Sequence, residues 1–592
     1  MDGDLLSFFG LIFISIIFIY VAPALALLPR WISNSDTIFA VPLLSIGIVY
    51  GIGKVFFTLG IWSPQLVRIT LGLIFFVALV RSKEWVGKQN KDKRDVDWKF
   101  VAVVAILLLP ILAELATAPF DSDDENTSWN YWAKLAFAGQ SPDLFYTRAP
   151  YPQLLTLLLS SNYALLGDWS YQLPVKAGLW MISLSCFGLL ATFTAKKLGR
   201  VAAIVVLLIV VYFVDLRGEF RVAYADPLMT SFLLAGFYFL YNGREGRSNE
   251  SNLWFAGLFL SLCAVTKQAG LPWAIVFFPV VYAATQAHNS RGLQYWAPLL
   301  MPIFAGGVWL ITEGHGALSN EGVLRASLGE RGVVEQLLGA LMEYGRRPEL
   351  LITYLIFTLS VCWKPSLQKF LIALSLLIST GLWLTYGGYQ YRLGIHNFLI
   401  AWFFIVLYFS EGMSTRFEMP KRKSLDRILK VSLSALLISS FVYSGLAANK
   451  KLRGTASFSL LDGLSRQAWS FFGYEGEEWL SELKATDNVK VLVFSNYING
   501  MLAPEIEVAR MEKTGSTENP VELSKYIINE RVSHLIIIGN PMYRWGLGNV
   551  GLESIVSLCP EKYRLISEAK GNKIGLFIDF RAKLYRVTES IC

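Results

Sequence analysis

The sequence predicts a polytopic α-helical membrane protein that ends in a small α/β domain. The 592 residues are 54% hydrophobic and only 17% charged, a balance that soluble domains do not have. Apolar runs of about 20 residues recur along the chain, the length that crosses a hydrocarbon core. From Ala447 onward the long runs stop, and short β-branched runs alternate with a helical pattern, as in α/β domains.

The first span is Leu5–Leu28. Its Ala22–Ala26 stretch has the small residues of a cleavage site. The start, Met1-Asp2-Gly3-Asp4, lacks the basic residues of a signal peptide, and the apolar core is too long for one. An uncleaved span with its N-terminus outside is expected. Ile38–Leu59 and Leu66–Val80 follow. Arg81–Lys99 then carries Arg81, Lys83, Lys88, Lys91, Lys93, Arg94 and Lys99, the strongest basic loop, and is expected in the cytoplasm. The net charge of +8 belongs to such loops and not to a nucleic-acid partner. A fourth span near Phe100–Ala118 runs outward and delivers Ala118–Lys134 to the external face.

Val175–Thr194 ends in the basic Lys196–Arg200, so it is expected to run inward. Leu154–Leu166, between two external points, is then expected as a re-entrant or interfacial helix. A full crossing there would invert everything after it. Spans alternate from that point at Val201–Val214, Pro227–Tyr241, Leu253–Val265, Leu271–Thr285, Tyr295–Ile311, Leu350–Cys362, Phe370–Leu384, Asn397–Phe409 and Leu429–Leu446. The total is about fourteen, with the basic loops all inside. The external loop Thr312–Glu349 carries an amphipathic pattern over Val333–Tyr344. The chain thus divides into accessory spans and a basic loop over 1–99, a membrane module over 100–446, and a soluble domain over 447–592.

In the last part, Gln467–Lys484 and Leu523–Glu530 suit helices. Lys490–Ser495, His534–Gly539, Tyr563–Glu568 and Ile574–Asp579 suit strands. No glycine-rich phosphate fingerprint precedes a helix, so a nucleotide enzyme is not expected there. Of five cysteines, Cys186, Cys263 and Cys362 lie in apolar runs and are expected as packing residues. Cys559 and Cys592 share the domain expected to face an oxidising compartment, where they either pair or remain two thiols. No C-x-x-C spacing points to zinc.

The chemistry gathers outside. Asp121, Asp123, Asp124 and Glu125 put four carboxylates at the mouth of a span, an expensive place beside lipid. Trp129, Tyr131, Trp132 and Lys134 follow, suited to a membrane–water interface. A solvated acidic loop beside an aromatic belt has the same spacing. Convergence favours a site over that reading. The second external loop holds Asp215, Arg217, Glu219, Arg221 and then Ala225-Asp226-Pro227. The third is Thr266–Leu271 with Lys267. The last holds Tyr391 and Arg392, followed by His396. Asp226 and Lys267 stand in apolar surroundings, where an unpaired charge is costly. Asn126-Thr127-Ser128 matches the N-glycosylation pattern, which is frequent by chance.

In this order and on one face, the motifs resemble those of the C-type glycosyltransferase (GT-C) superfamily, integral membrane enzymes that use polyprenyl-phosphate-linked sugars. The resemblance is carried by Asp121–Glu125 after a span, W-x-x-W-A-K at Trp129–Lys134 and Tyr151-Pro152-Gln153-Leu154-Leu155. A-D-P at Ala225–Pro227, T-K-x-x-G-L at Thr266–Leu271 and the late Arg392 complete it, over roughly Phe100–Phe409. The family commonly shows one D-E or D-x-D pair, whereas this chain offers four carboxylates together. The three spans before the module are an addition to the minimal plan.

The resemblance implies a GT-C-like fold and an inverting glycosyltransferase. It would move a sugar from a polyprenyl-phosphate carrier to a glycan, lipid or protein acceptor, at the periplasmic face of a bacterial-type inner membrane. A sugar hydroxyl is a weak nucleophile and needs a carboxylate to take its proton. Asp124 ranks first for this, because it resembles the acidic position before the family's interfacial helix, and Asp121 and Asp123 remain open. The leaving lipid phosphate needs cations, for which Lys267 and Arg392 are the candidates. Asp226, Glu125, Trp129, Lys134, Tyr391 and Arg221 are further substrate-side candidates. The carboxylates are also a hard oxygen set for Mg²⁺ or Mn²⁺; the family contains metal users and non-users, so no metal is required. His396 is expected as an interfacial or core histidine. Two other classes compete. A transporter or flippase needs charges along a central path and repeated halves. A polysaccharide polymerase or ligase lacks a reason for the acidic first loop and the terminal domain.

Overall fold

The computed structural model describes residues 2–28, 37–89, 97–120, 125–140, 152–242, 249–286, 295–312, 347–363, 365–386, 391–413, 489–493, 507–509, 520–539, 555–574 and 577–588, with a few isolated positions besides. Up to Met413 these residues form helices; from Lys490 they form a mixed sheet with flanking helices.

Among the described residues, five helical stretches are long and apolar enough to cross a membrane: Asp4–Leu27, Ile38–Thr58, Pro64–Ser82, Gln172–Leu198 and Leu367–Leu384. A sixth is the pair Trp98–Leu107 and Leu109–Thr117, bent by 51°. Leu154–Leu166, Arg200–Phe213, Ser251–Ala264, Ala297–Thr312, Pro348–Cys362 and Ile395–Glu411 are apolar but shorter. Leu154–Leu166 would be roughly 20 Å long, less than a hydrocarbon core. It is buried along most of its length and stops at Gly167, whose φ of 100° is the left-handed cap that glycine takes without strain. The Arg68 guanidinium donates to the Ala164 carbonyl at 2.6 Å, satisfying one of the last carbonyls of that helix.

Where the sequence predicts a loop over Arg81–Lys99, the helix Pro64–Gln89 runs on through Arg81. Between Ser82 and Gln89 only Gly87 weakens helix, and one glycine does not end one. Arg81 donates to the Ala26 carbonyl at 2.6 Å and so caps the end of the first span. The next helix starts inside the same stretch, at Trp98, where the Asp97 carboxylate accepts the Phe100 N–H at 3.2 Å. The following span breaks at Leu108. Pro110 has no N–H to return to the preceding turn. The carbonyls exposed by the break are taken by side chains: Tyr212 Oη donates to Leu107 O at 2.5 Å, and Trp180 Nε1 to Leu108 O at 3.1 Å.

The centre of the bundle is the packing of Trp180–Leu198, Ala225–Asn242, Asn249–Ala264 and Ile395–Met413. Every residue from Ala225 to Tyr241 is buried. Phe193 stacks on Phe403 at 4.1 Å, and Phe237 meets Phe404 edge-on at 5.6 Å. Leu6, Phe9, Phe13, Leu73, Phe76, Phe304, Ile311 and Leu377 point outward from the peripheral helices, the arrangement that a lipid surround stabilises.

In the C-terminal part the sheet order is β2-β1-β3-β5-β4, with β1 Lys490–Val493, β2 Glu507–Ala509, β3 His534–Gly539, β4 Tyr563–Ile574 and β5 Phe577–Val587. β1 runs parallel to β2 and β3; β5 runs antiparallel to β3 and β4. The helix Pro520–Asn529 packs Leu523 and Ile527 against Leu535, Ile537, Tyr563 and Tyr585. The last two strands exceed the expected Tyr563–Glu568 and Ile574–Asp579, because the ladder continues through the polar Lys570, Gly571 and Lys573 to pair Ile574 with Phe577. Cys559 is disulfide-bonded; Cys592 lies outside the described residues. Cys186 and Cys263 are free and buried, whereas Cys362 is exposed at the end of its helix and not packed as expected. Apart from isolated positions, the stretches read at Val333–Tyr344, Leu429–Leu446 and Gln467–Lys484 also lie outside the described residues.

Candidate active site

Asp226 occupies the first turn of the helix Ala225–Asn242, where the helix dipole favours an acid and a following proline costs nothing. Lys267 comes from the turn between Asn249–Ala264 and Gly270–Val276. Three contacts shape that turn. Thr266 Oγ1 donates to the Leu262 carbonyl at 2.5 Å, and Gly270 N donates to the Lys267 carbonyl at 2.8 Å. The Gly270 backbone lies so close to Cys263 that a Cβ would stand 2.0 Å from its carbonyl oxygen. The T-K-x-x-G-L motif is therefore a turn that only glycine can close. It carries Lys267 Nζ to 2.8 and 2.9 Å from the two Asp226 carboxylate oxygens, with the side chains 12% and 3% exposed.

A second buried pair stands on neighbouring chain. Lys176 Nζ lies 2.9 Å from Glu125 Oε1 and donates to the Pro119 carbonyl at 2.7 Å. The same Glu125 oxygen accepts the backbone N–H of Ala223. Ala223 precedes Asp226 by three residues, roughly 10 Å of chain at most, so the two pairs belong to one region. On its rim, Arg221 donates to Glu114 at 3.0 Å. Partial burial alone would lower the Arg221 guanidinium, but the bond and charge of Glu114 outweigh it, and its affinity for the proton rises.

The aromatic stretch is not the interfacial belt that its composition suggests. Trp129, Tyr131, Trp132 and Lys134 are all buried, because the short helix Asn130–Phe137 packs along Leu154–Leu166. Trp129 and Trp132 meet edge-on at 5.3 Å. Lys134 Nζ sits 4.9 Å from the Trp169 ring, a favourable place for a desolvated ammonium. Tyr163 Oη donates to Asn130 Oδ1 at 2.5 Å.

The structure thus joins Asp226 to Lys267, Glu125 to Lys176 and Arg221 to Glu114. Asp121, Asp123 and Asp124 lie outside the described residues. Tyr391 and Arg392 begin the 3₁₀ turn Tyr391–Gly394, which leads into Ile395–Met413, and their side chains lie outside the description. His396 is buried, with Ser379 Oγ 3.1 Å from its Nε2 and the Trp273 ring at 4.4 Å, a core histidine in a polar cluster. Sequence reasoning missed Lys176 and Glu114. The signal was present: each is a single charge inside a run read as a span, and such charges carry function by default. Among the described residues no three His, Cys, Asp or Glu side chains could share a metal ion.

No protein-family model and no curated protein matches the chain. Solved structures are similar to it, two of which follow. The crystal structure of ArnT from Cupriavidus metallidurans, bound to undecaprenyl phosphate, aligns at 11% identity over 83% of this chain and 98% of that chain, with a TM-score of 0.48. The archaeal oligosaccharyltransferase AglB from Archaeoglobus fulgidus, in complex with an inhibitory peptide and a dolichol-phosphate, aligns at 11% identity over 80% of each chain, with a TM-score of 0.41.

Proposed function

We propose that the chain is an inverting glycosyltransferase of the inner membrane. It moves a sugar from a polyprenyl-phosphate carrier to a glycan, lipid or protein acceptor at the periplasmic face. The observation that carries the reading is Lys267: a largely buried ammonium, held by both oxygens of Asp226, which stands three residues after the Ala223 N–H that binds Glu125. Two of its three N–H bonds go to Asp226, which leaves the third for a phosphate oxygen.

In the reaction, an acceptor hydroxyl attacks the anomeric carbon from the side opposite the carrier phosphate. Its proton passes to a carboxylate of the acidic segment, with Asp124 first in rank, then Asp121 and Asp123. The new C–O bond forms as the bond to the phosphate oxygen breaks, and the configuration inverts. Lys267 and Arg392 take the charge that develops on the leaving polyprenyl phosphate. Asp226 keeps Lys267 charged and aimed. The Glu125 carboxylate takes bonds from Lys176 and the Ala223 N–H and so holds backbone beside the substrate. Arg221, Lys134, Trp129 and Tyr391 form the surround. The reading takes 1–99 as accessory spans with a basic cytoplasmic stretch, 100–446 as the catalytic membrane module of an approximately fourteen-span protein, and 447–592 as a periplasmic domain.

The decisive experiment assays the purified protein in nanodiscs with a polyprenyl-phosphate-linked sugar. Asn is placed in turn at Asp121, Asp123 and Asp124, and both transfer and donor binding are measured. One variant is expected to lose transfer with near-normal donor binding, because the amide keeps the shape and cannot accept the proton. Near wild-type transfer in all three removes the carboxylate base. Reporter fusions at Asp92, Lys423 and the C-terminus test the orientation; a cytoplasmic C-terminus overturns it.

A further inference from the structure

Lys176 has no part in the chemistry above, yet it is among the most completely buried cations of the chain, at 1% exposure. It stands on the short helix Gln172–Gly178. Its bonds go to Pro119 on one side and Glu125 on the other. Six residues of extended chain span roughly 20 Å, but here both ends of the segment bond one nitrogen atom. That segment is the one that carries Asp121, Asp123 and Asp124. Phe120 lies under the same ammonium, with its ring centre 5.4 Å away. The Glu125 oxygen nearest Lys176 also accepts the Ala223 N–H, so the clasp reaches the backbone that leads into Asp226. A buried ion pair is a poor source of stability compared with apolar packing. Its retention here, with its bonds directed at two chain segments, suits a device that fixes geometry.

We propose that Lys176 is a positioning residue: it ties together Pro119 and Glu125, the described residues on either side of the acidic segment, and through Glu125 joins them to the Ala223 turn. Its link to turnover rests on the glycosyltransferase reading; its link to local order does not.

The test uses the full chain in nanodiscs. Hydrogen exchange is followed in peptides that cover 119–125 and 221–224, in the wild type, Lys176→Met and Lys176→Arg. Lys176→Met is expected to exchange about tenfold faster in both peptides, with β3 unchanged as an internal control. Transfer by Lys176→Met is expected to lose about tenfold or more in kcat, with donor KM altered by less than about threefold. Lys176→Arg, which keeps the charge and the donors, is expected to restore most of both. Should Lys176→Met fail to fold, the paired Lys176→Gln/Glu125→Gln variant removes both charges together and is read by the same exchange. Unchanged exchange in the variant that folds overturns the clasp, whatever the activity. Faster exchange in a chain that transfers no sugar even as wild type sinks the glycosyltransferase reading and leaves the clasp standing.

Discussion

Lys267 and Asp226, 41 residues apart in sequence, form a two-pronged ion pair with neither side chain more than 12% exposed. Each charge is tolerated in that setting because of the other, so their removal is not additive. Asp226→Asn is expected to cost about 3–5 kcal/mol of stability by leaving a buried ammonium without a counter-charge. The double variant Asp226→Asn/Lys267→Met is expected to regain much of that loss and none of the donor affinity. Denaturation midpoints and donor titration of both single variants and the double variant measure the coupling. Additive losses in stability would show that the pair does not act as a unit.

Arg392 separates charge from shape. Arg392→Ala is expected to weaken donor binding by at least about tenfold, a loss of roughly 1.4 kcal/mol. Arg392→Lys is expected to recover less than half of it in free energy, since an ammonium lacks the planar fork that grips two phosphate oxygens. Donor titration decides, and unchanged affinity in Arg392→Ala takes the residue out of the site.

Gly270→Ala places a methyl group 2.0 Å from the Cys263 carbonyl oxygen, so the turn has to open. The expected result is a stability loss of about 1–3 kcal/mol, with a larger fall in donor use than the stability change explains, because Lys267 moves with the turn. Gly307→Ala is the control, since its added Cβ meets nothing within 4 Å. Equal effects of the two substitutions would remove the turn from the argument.

The C-terminal sheet is expected to weaken in acid. Burial lowers the His534 imidazole from its ordinary 6.5, against the pull of Glu482. The folded state therefore holds it neutral while the unfolded chain protonates it. Stability from this group is complete above about pH 6.5 and declines as the pH falls through the lowered value. Glu482 adds a second loss of the same sign at lower pH. Burial raises its carboxyl, but Arg586 and His534 bring it below its usual 4.5. Thermal unfolding of the full chain, followed at the sheet, is expected to drop between pH 7.5 and 5.5. His534→Gln is expected to flatten that interval and to keep the fall at lower pH. An unchanged slope in His534→Gln would assign the loss elsewhere.

Much of the helical plan was legible because long apolar runs have few alternatives. Pro227–Tyr241 and Phe370–Leu384 lie inside the observed helices Ala225–Asn242 and Leu367–Tyr386. Breaks were harder to read. Apolar composition does not distinguish one helix from two, so the bend at Leu108 and the break between Gly270–Val276 and Phe278–Gln286 followed from local prolines and packing and not from hydropathy. In the site, Asp226 and Lys267 were legible as misplaced charges, and their pairing needed the Gly270 turn. Lys176 was hidden by its position inside a run that otherwise reads as span. Glu125 was counted with its acidic neighbours, although its partner lies on another helix. The buried aromatic helix was misread because Trp and Tyr suit both an interface and a core.

The break at Leu108 also bears on how the protein meets membranes of different thickness. A straight helix transmits a change of tilt from one end to the other. Here Trp180 and Tyr212 hold the corner itself, through the carbonyls of Leu108 and Leu107, while Arg221 holds the half that ends at Thr117 through Glu114, and Arg200 meets the other half at its Asp97 cap. With the 51° corner pinned in this way, a change of tilt imposed on the Trp98 half is expected to be taken up at the exposed Asp97–Arg200 contact before it reaches Glu114. Reconstitution in lipids of graded chain length should then alter the mobility of Trp98–Leu107 and leave the geometry around Glu114 constant. Movement around Glu114 in step with Trp98–Leu107 would show that the corner passes tilt on as a straight helix does.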